Sequence, residues 1–92
     1  MKLWKITRTT PVREFDIYLA AIVAAKTEQD ARHTHPGGTG KIWQDLGWLF
    51  VFEGYVDTES WVDPKDVAVT LVGTAVKGTA AGTVLCAEFI GG

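Results

Sequence analysis

The stretch Ala20–Pro36, AAIVAAKTEQDARHTHP, decides the fold because it changes from an apolar, strand-like run to a capped helical turn at one residue. That residue is Thr27, whose hydroxyl can accept a hydrogen bond from a backbone N–H of the first turn, as an N-cap does. Glu28 then lies where a carboxylate favours a helix start. Asp30 holds the position at which a capping box carries Glu or Gln, although its side chain is too short to complete the box well.

The end of this helix is also visible in the sequence. Polar groups that can contact the last carbonyls of a helix lie near its end. They are Arg32, His33 and His35. Because Pro36 and Gly37–Gly38 then stop the chain from continuing as a helix, the pattern predicts one short helix of roughly two to three turns.

The residues before Thr27 predict a strand over Tyr18–Lys26, since a helix start is not needed inside a helix that is already four turns long. The alternative is one continuous helix from Glu14 to His35. An apolar stripe at helical spacing favours that alternative, together with the helix propensity of the alanines. The stripe consists of Phe15, Tyr18, Leu19, Ile22 and Val23.

The remaining elements are predicted to be strands separated by turns. Lys2–Thr9 alternates as an opening strand with Trp4 and Ile6 on one face, and residues 37–47 form a glycine-rich connection. The other predicted elements are one aromatic strand over Trp48–Val56, a helical or tight turn over Asp63–Asp66, a central strand over Val67–Val72 and a last strand over Thr83–Ile90. The sequence therefore predicts an α+β fold, a mainly antiparallel sheet of four to five strands with one short helix.

Composition predicts a single domain over residues 1–92 that is stabilised by self-association. A domain of 92 residues buries a limited fraction of its surface, yet 47% of this chain is hydrophobic and four residues are Trp. A homo-oligomer is therefore expected. The single cysteine, Cys86, allows no internal disulfide, and there is neither a leader nor an 18-residue apolar span, which favours a reducing cytosol and no membrane.

Charge is unevenly distributed along the chain. Residues 1–41 carry seven basic and four acidic side chains, whereas residues 42–66 carry six acidic side chains and Lys65 alone. Three interpretations stay open: complementary faces that meet within or between subunits, a basic surface that attracts an anion, or solvated faces without a role. Nucleic-acid binding is disfavoured, because nine basic residues in an acidic domain form no stripe along a phosphate backbone.

Four pieces of the sequence, in this order, resemble a group of small bacteriophage and prophage proteins, most of them uncharacterised. They are KLWKITRT, AAKTEQDAR-x-x-HP, W-V-x-P-x-x-V-x-V and G-x-V-x-C-A-x-F. The resemblance implies an accessory phage protein that acts in the host cytoplasm, in a class that includes inhibitors of host defence. It implies no established activity. The aromatic run Trp43–Tyr55 has no counterpart in that pattern.

Two motifs suggest ligands but lack the required spacing. The loop Gly37–Lys41 would need glycine at position 35 and Ser or Thr at position 42 to be a phosphate-binding P-loop, although its amides can still hold a phosphate as a simple nest. His33 and His35 point to different faces of a helix, and no second cluster completes four zinc ligands. We therefore expect no metal and no cofactor.

Catalysis by a nucleophile is also disfavoured. Cys86 lies within an apolar strand, where a cysteine usually behaves as a small buried hydrophobe, and Ser60 has no catalytic motif around it. The acidic set could coordinate magnesium, although such loops are more often only solvated. That set is Asp57, Glu59, Asp63 and Asp66. An enzyme is therefore the minority interpretation.

Aromatic and basic residues together suggest a nucleotide-like ligand, because indole rings stack on bases while Arg and Lys pair with phosphates. The predicted ligand-binding residues are Arg8, Arg32, His35, Lys41, Trp43 and Trp61. The leading hypothesis is an anti-defence sponge that captures a host nucleotide second messenger, without cleaving it, at subunit interfaces. The alternative is an inhibitor or scaffold that docks Trp48–Tyr55 on a host protein by strand addition or as an exposed patch, and the third is a nucleotide-degrading enzyme.

Overall fold

A computed structural model describes residues 1–11 and 16–91 of the chain. The described residues form two antiparallel sheets, one short α-helix and one 3-10 helix, which confirms the α+β prediction. In chain order the elements are β1 (Lys2–Arg8), β2 (Ile17–Ala25), α1 (Glu28–Arg32), β3 (Lys41–Gln44), β4 (Gly47–Phe50), β5 (Tyr55–Asp57), the 3-10 helix (Pro64–Asp66), β6 (Val67–Thr74) and β7 (Val84–Ile90).

The larger sheet has the strand order β6-β1-β2-β7, so the predicted opening strand lies at its centre. Trp4 pairs with Val23 and Ile6 pairs with Ala21, and all four side chains are buried on the same face. The indole of Trp4 donates to the Ala25 carbonyl at 3.0 Å, which satisfies its polar atom inside the core. The alternation in the sequence therefore identified the buried face correctly.

The joint at Thr27 forms as predicted. The Thr27 hydroxyl accepts a hydrogen bond from the Asp30 amide at 3.1 Å, and α1 begins at Glu28. Residues 17–25 form β2, so a continuous helix through this segment is wrong, while Glu14 and Phe15 lie outside the described residues.

The helix is shorter than predicted, because it spans five residues and reaches its C-cap at His33. The amide of His33 donates to the carbonyls of both Gln29 and Asp30 at 3.2 Å, so the last turn tightens and the helix ends. The chain then turns inward, and His35 and Pro36 become buried.

The second sheet was not predicted as a separate unit. Residues 37–47, expected to be a connection, contain β3, and the expected single strand over Trp48–Val56 is the hairpin of β4 and β5. Gly54 adopts a positive φ of 78° and its amide bonds to the Phe50 carbonyl at 2.7 Å, which reverses the chain between these strands. Phe52 therefore lies on a turn and is 80% exposed, whereas Trp48 and Phe50 are buried on β4.

Close approach of β4 and β5 depends on Gly47. A Cβ atom there would lie 2.7 Å from Val56 Cγ1 and 2.9 Å from the Asp57 carbonyl oxygen. Since one of those atoms belongs to the backbone, a side chain at position 47 would push the two strands apart.

Two further predictions are corrected at the edges of the larger sheet. The apolar run of β6 was expected to be central, but among residues 1–11 and 16–91 β6 pairs only with β1 and forms an edge. Cys86 was expected in the core, but it is exposed on β7, the opposite edge. In both strands some apolar residues pack against the core, Val67 and Val69 from β6 and Val84 from β7, so apolar composition alone did not show which strands are central.

The core lies between the inner face of the larger sheet, α1 and the inner face of the smaller sheet. Its largest fully buried side chains are Trp48 and Trp61, and Ala31 contributes from the helix. Among the described helices none is long and apolar enough to cross a membrane.

Candidate functional site

The structure distributes the six predicted ligand-binding residues over three places. Arg8, Trp43 and Trp61 line one cleft of about 250 Å³, which we call the tryptophan cleft. His35 and Lys41 line a second cleft of about 300 Å³, which we call the histidine cleft. Arg32 lines neither cleft.

Arg32 serves the fold through its guanidinium group. Its Nη1 donates to the Pro64 carbonyl at 3.4 Å and to the Val67 carbonyl, and its Nη2 lies 3.8 Å from a carboxylate oxygen of Glu28. These contacts tie α1 to the start of β6. The predicted role of Arg32 in an anion site is therefore not supported by its position.

Of the two tryptophans that line the tryptophan cleft, one has an accessible ring. Trp43 is half-buried and packs edge-on against Trp48 with a centroid distance of 5.4 Å, so part of its ring remains accessible. Trp61 is only 2% exposed, and its Nε1 has no hydrogen-bond partner among the described residues. Trp61 is therefore a core residue at the floor of the cleft, whereas Trp43 can contact a ligand.

Acidic groups outnumber basic groups in this cleft. Arg8 faces three carboxylates that share the lining, Glu59, Asp63 and Asp66. Partial burial lowers the pKa of the Arg8 guanidinium, whose Nη1 donates to the Tyr18 carbonyl at 3.2 Å. The Lys65 ammonium donates a hydrogen bond to the Asp66 carboxylate at 3.1 Å, which raises the pKa of Lys65. Of the three carboxylates, Asp66 is therefore paired with a lysine.

His35 is the centre of the histidine cleft and is 1% exposed. The amide of Gly37 donates to its Nδ1 at 2.8 Å, so Nε2 carries the proton and donates to the Ser60 hydroxyl at 3.1 Å. Burial, together with the charge of Lys41, lowers the pKa of His35 to about 4, although the charge of Asp57 acts in the opposite direction. His35 is therefore neutral at pH 7.

The Ser60 hydroxyl donates a hydrogen bond to Oδ2 of Asp57. The same oxygen also accepts a hydrogen bond from the Ser60 amide at 3.0 Å. The order of donors is therefore His35 to Ser60 to Asp57. In a serine hydrolase the histidine instead accepts the serine proton. This arrangement fixes three side chains but does not make Ser60 a nucleophile activated by histidine.

Aromatic rings form the walls of the histidine cleft. On one side the ring centroids of Tyr18 and Phe89 lie 4.8 Å apart. On the other side the ring centroids of Phe50 and Tyr55 lie 5.1 Å apart. The Lys41 ammonium lies 4.8 Å from the centroid of the Phe50 ring. The lining also contains three carboxylates, those of Asp16, Asp57 and Glu59. This second cleft is thus also acidic, with aromatic walls.

A third feature is an exposed aliphatic surface on the outer face of the smaller sheet. Ile42, Leu49 and Val56 lie directly opposite one another across β3, β4 and β5. Leu46, 88% exposed on the β3–β4 turn, extends this row and shares a concave surface with Val56. We call Ile42, Leu46, Leu49 and Val56 the small-sheet patch.

Comparison with protein-family models, with curated proteins and with solved structures gives no match for this chain. Within the described part of the chain, no group of three or more His, Cys, Asp or Glu side chains is placed to hold a metal ion.

Sequence reasoning missed the small-sheet patch and the contact between His35 and Ser60. The patch could not be predicted from one strand over Trp48–Val56, because Leu49 and Val56 would lie on opposite faces of a single strand, whereas the hairpin pairs them. The histidine contact joins residues that are 25 positions apart. The only local signals were the Asp57-x-x-Ser60 spacing, typical of a side-chain turn, and a histidine before Pro-Gly.

Proposed function

We propose that this protein is a non-enzymatic binding protein that docks on another protein through the small-sheet patch. The observation that supports this function best is the aliphatic row across all three strands, in which Ile42 is 55% and Val56 47% exposed. Contiguous exposed apolar surface rimmed by polar residues is typical of protein-interaction sites. This is the inhibitor or scaffold hypothesis, with the sheet face in place of the aromatic run.

The charge around the patch specifies the partner. Asp45 lines the same concave surface as Leu46, and Leu46 also lines the tryptophan cleft, which contains Glu59, Asp63 and Asp66. An apolar surface rimmed by Lys and Arg would complement it. A second copy would not, because a twofold contact through this patch sets acidic groups against acidic groups. The resemblance to phage accessory proteins suggests a bacterial host protein, met in the host cytoplasm.

Photo-crosslinking from Leu46 tests this proposal. With a benzophenone amino acid at position 46, we expect one prominent protein adduct in host extract, and none from the same probe at Val76. The two positions are matched in exposure, at 88% and 81%, but only Leu46 belongs to the patch. The adduct identifies the partner for purification and affinity measurement.

Binding between this protein and the purified partner is then compared for the wild type and Ile42→Asp. Ile42→Asp places a carboxylate in the aliphatic row without removing a core contact, so it should abolish the adduct and weaken binding at least tenfold. Binding should also weaken as salt rises, because the partner's rim is basic. Equal adducts from both probe positions, or full binding by Ile42→Asp, would contradict the proposal.

The nucleotide sponge remains a second proposed function. It is favoured by one observation, that Arg8 and the accessible ring of Trp43 line the same cleft. The excess of carboxylates disfavours a ligand with several phosphates and favours a base with ribose hydroxyls that can donate to Glu59 or Asp63.

If such a ligand binds, Trp43→Ala should weaken its affinity by roughly 1–3 kcal/mol through lost stacking. Trp61 is not a suitable test position, because its burial means that truncation would affect folding. Calorimetry with cyclic and linear nucleotides on the wild type and Trp43→Ala measures the effect. Recovery of a chemically altered nucleotide would instead indicate the enzyme, and a lack of binding tighter than millimolar would exclude the sponge.

A further inference from the structure

Strand β7 is an edge strand with an unusual degree of exposure. All five residues of its segment Leu85–Phe89 are exposed, and only Glu88 among them is charged. Leu85 and Phe89 are 50% and 49% exposed. Monomeric proteins usually protect such edges with lysine, proline, a bulge or a covering element. Strand β7 contains neither lysine nor proline. Its register with β2 shifts at Leu85, because Cys86 pairs with Ile22 and Val84 with Val23, and residues 86–90 lie beyond this shift.

We propose that two copies of the chain pair through β7, antiparallel, about a twofold axis at Ala87. The two larger sheets then form one sheet of eight strands. The outward N–H and C=O groups of both edges gain partners, as in strand addition. The apolar composition that made β7 resemble a buried strand is then explained by the second copy.

Side-chain geometry selects the position of the axis. Directly opposed residues point to the same face of a sheet, so a twofold axis perpendicular to the sheet must pass through a residue and not between two. An axis at Glu88 would oppose two carboxylates, which is unfavourable. An axis at Ala87 pairs residues 86–88, which lie beyond the register shift at Leu85, with their symmetry mates.

The pairing about Ala87 is self-complementary. Leu85, at the register shift, lies near Phe89 of the second copy, once on each side of the small Ala87 pair. Cys86 lies opposite Glu88 of the second copy, so the two carboxylates are kept apart. This match of an apolar strand to its own reverse favours a second copy over an unrelated strand as the occupant.

The opposite edge of the sheet is less suited to pairing. Helix α1 contacts β6, and Arg32 already donates to the Val67 carbonyl at the start of that strand. The β7 edge is also distinct from the small-sheet patch, since the two surfaces belong to different sheets. A dimer through β7 therefore leaves both copies able to bind a partner protein.

Light scattering at tens of micromolar tests the dimer. We expect the wild type to have twice the 10.0 kDa mass of the chain. Ala87→Lys sets two ammonium groups against each other at the axis, so its mass should fall twofold to that of one chain. Leu71→Lys is the matched control, because Leu71 is an exposed residue (53%) on the other edge strand, and this variant should remain dimeric.

Crosslinking through Cys86 supplies a readout that does not depend on a variant. The Cys86 residues of the two copies are diagonal neighbours, with Cα atoms about 7–8 Å apart. A short bismaleimide should therefore convert the wild type to a covalent dimer, and should fail with Cys86→Ser and with folded Ala87→Lys. A monomeric wild type, a dimer that does not crosslink, or dissociation by Leu71→Lys and not by Ala87→Lys would overturn the proposal.

Discussion

Replacing Trp48 with alanine is expected to lower the free energy of unfolding by about 3–5 kcal/mol. Trp48 is 0% exposed, and its indole N–H donates to the Val62 carbonyl at 3.0 Å. Its ring also packs against His35 at a centroid distance of 5.1 Å and against Trp43 at 5.4 Å. The truncation would leave a cavity between the two sheets and an unpaired carbonyl.

Urea unfolding followed by far-ultraviolet circular dichroism measures this loss. A domain of this size has a total stability of roughly 5–14 kcal/mol, so the loss is a large share of the total. Trp48→Phe keeps most of the apolar volume and provides a graded comparison. Ile42→Ala is the control, since Ile42 is 55% exposed and should change stability little. A loss below about 1 kcal/mol for Trp48→Ala would mean that the smaller sheet does not share a core with the larger one.

The parts of the fold that sequence predicted are those fixed by neighbouring residues. Thr27 caps the helix with its own hydroxyl and the amide three residues on, and Trp4 and Ile6 alternate along one strand. Capping and alternation act over a few residues, so both can be seen in the sequence. The 3-10 helix at Pro64 follows the same rule, because proline suits a first helical position.

The parts that sequence could not predict depend on residues far apart in the chain. Whether β6 and β7 are central or at an edge is a property of sheet order, and an apolar strand is compatible with either. The hairpin of β4 and β5 was missed because its turn is apolar except for Glu53 and Gly54. The positive φ of Gly54 and the hydrogen bond from its amide to the Phe50 carbonyl distinguish that turn from a strand.

The sequence predicted the residue types of the candidate sites better than their arrangement in space. Aromatic and basic residues do meet in the clefts, but the acidic loop after β5 reaches both, since Glu59 lines each of them. A count of basic residues near the tryptophans could not show this. The resulting excess of carboxylates is what moves the preferred function from phosphate capture to protein binding.

Acidification is expected to destabilise the protein by about 3 kcal/mol through His35 alone. The pKa of His35 is about 4 in the folded protein, against an ordinary value of 6.5. Between these values the unfolded chain binds a proton that the native protein does not, so stability rises with pH. The stability that depends on a neutral His35 is fully present above pH 6.5 and is lost as the pH falls to about 4.

Comparing the wild type with His35→Gln isolates this effect, because Asp57 and the other carboxylates that titrate in acid are present in both proteins. Glutamine can still donate to Ser60 and accept from the Gly37 amide, but it does not titrate. We expect His35→Gln to be less stable at pH 7 and to lose much less stability between pH 6.5 and pH 4. Urea unfolding across this range measures both slopes, with His33→Gln as the control, since His33 is exposed. Equal slopes for the wild type and His35→Gln would show that the buried imidazole is not the group that senses pH, and that its neutral state with Lys41 and Asp57 beside it has been assigned wrongly.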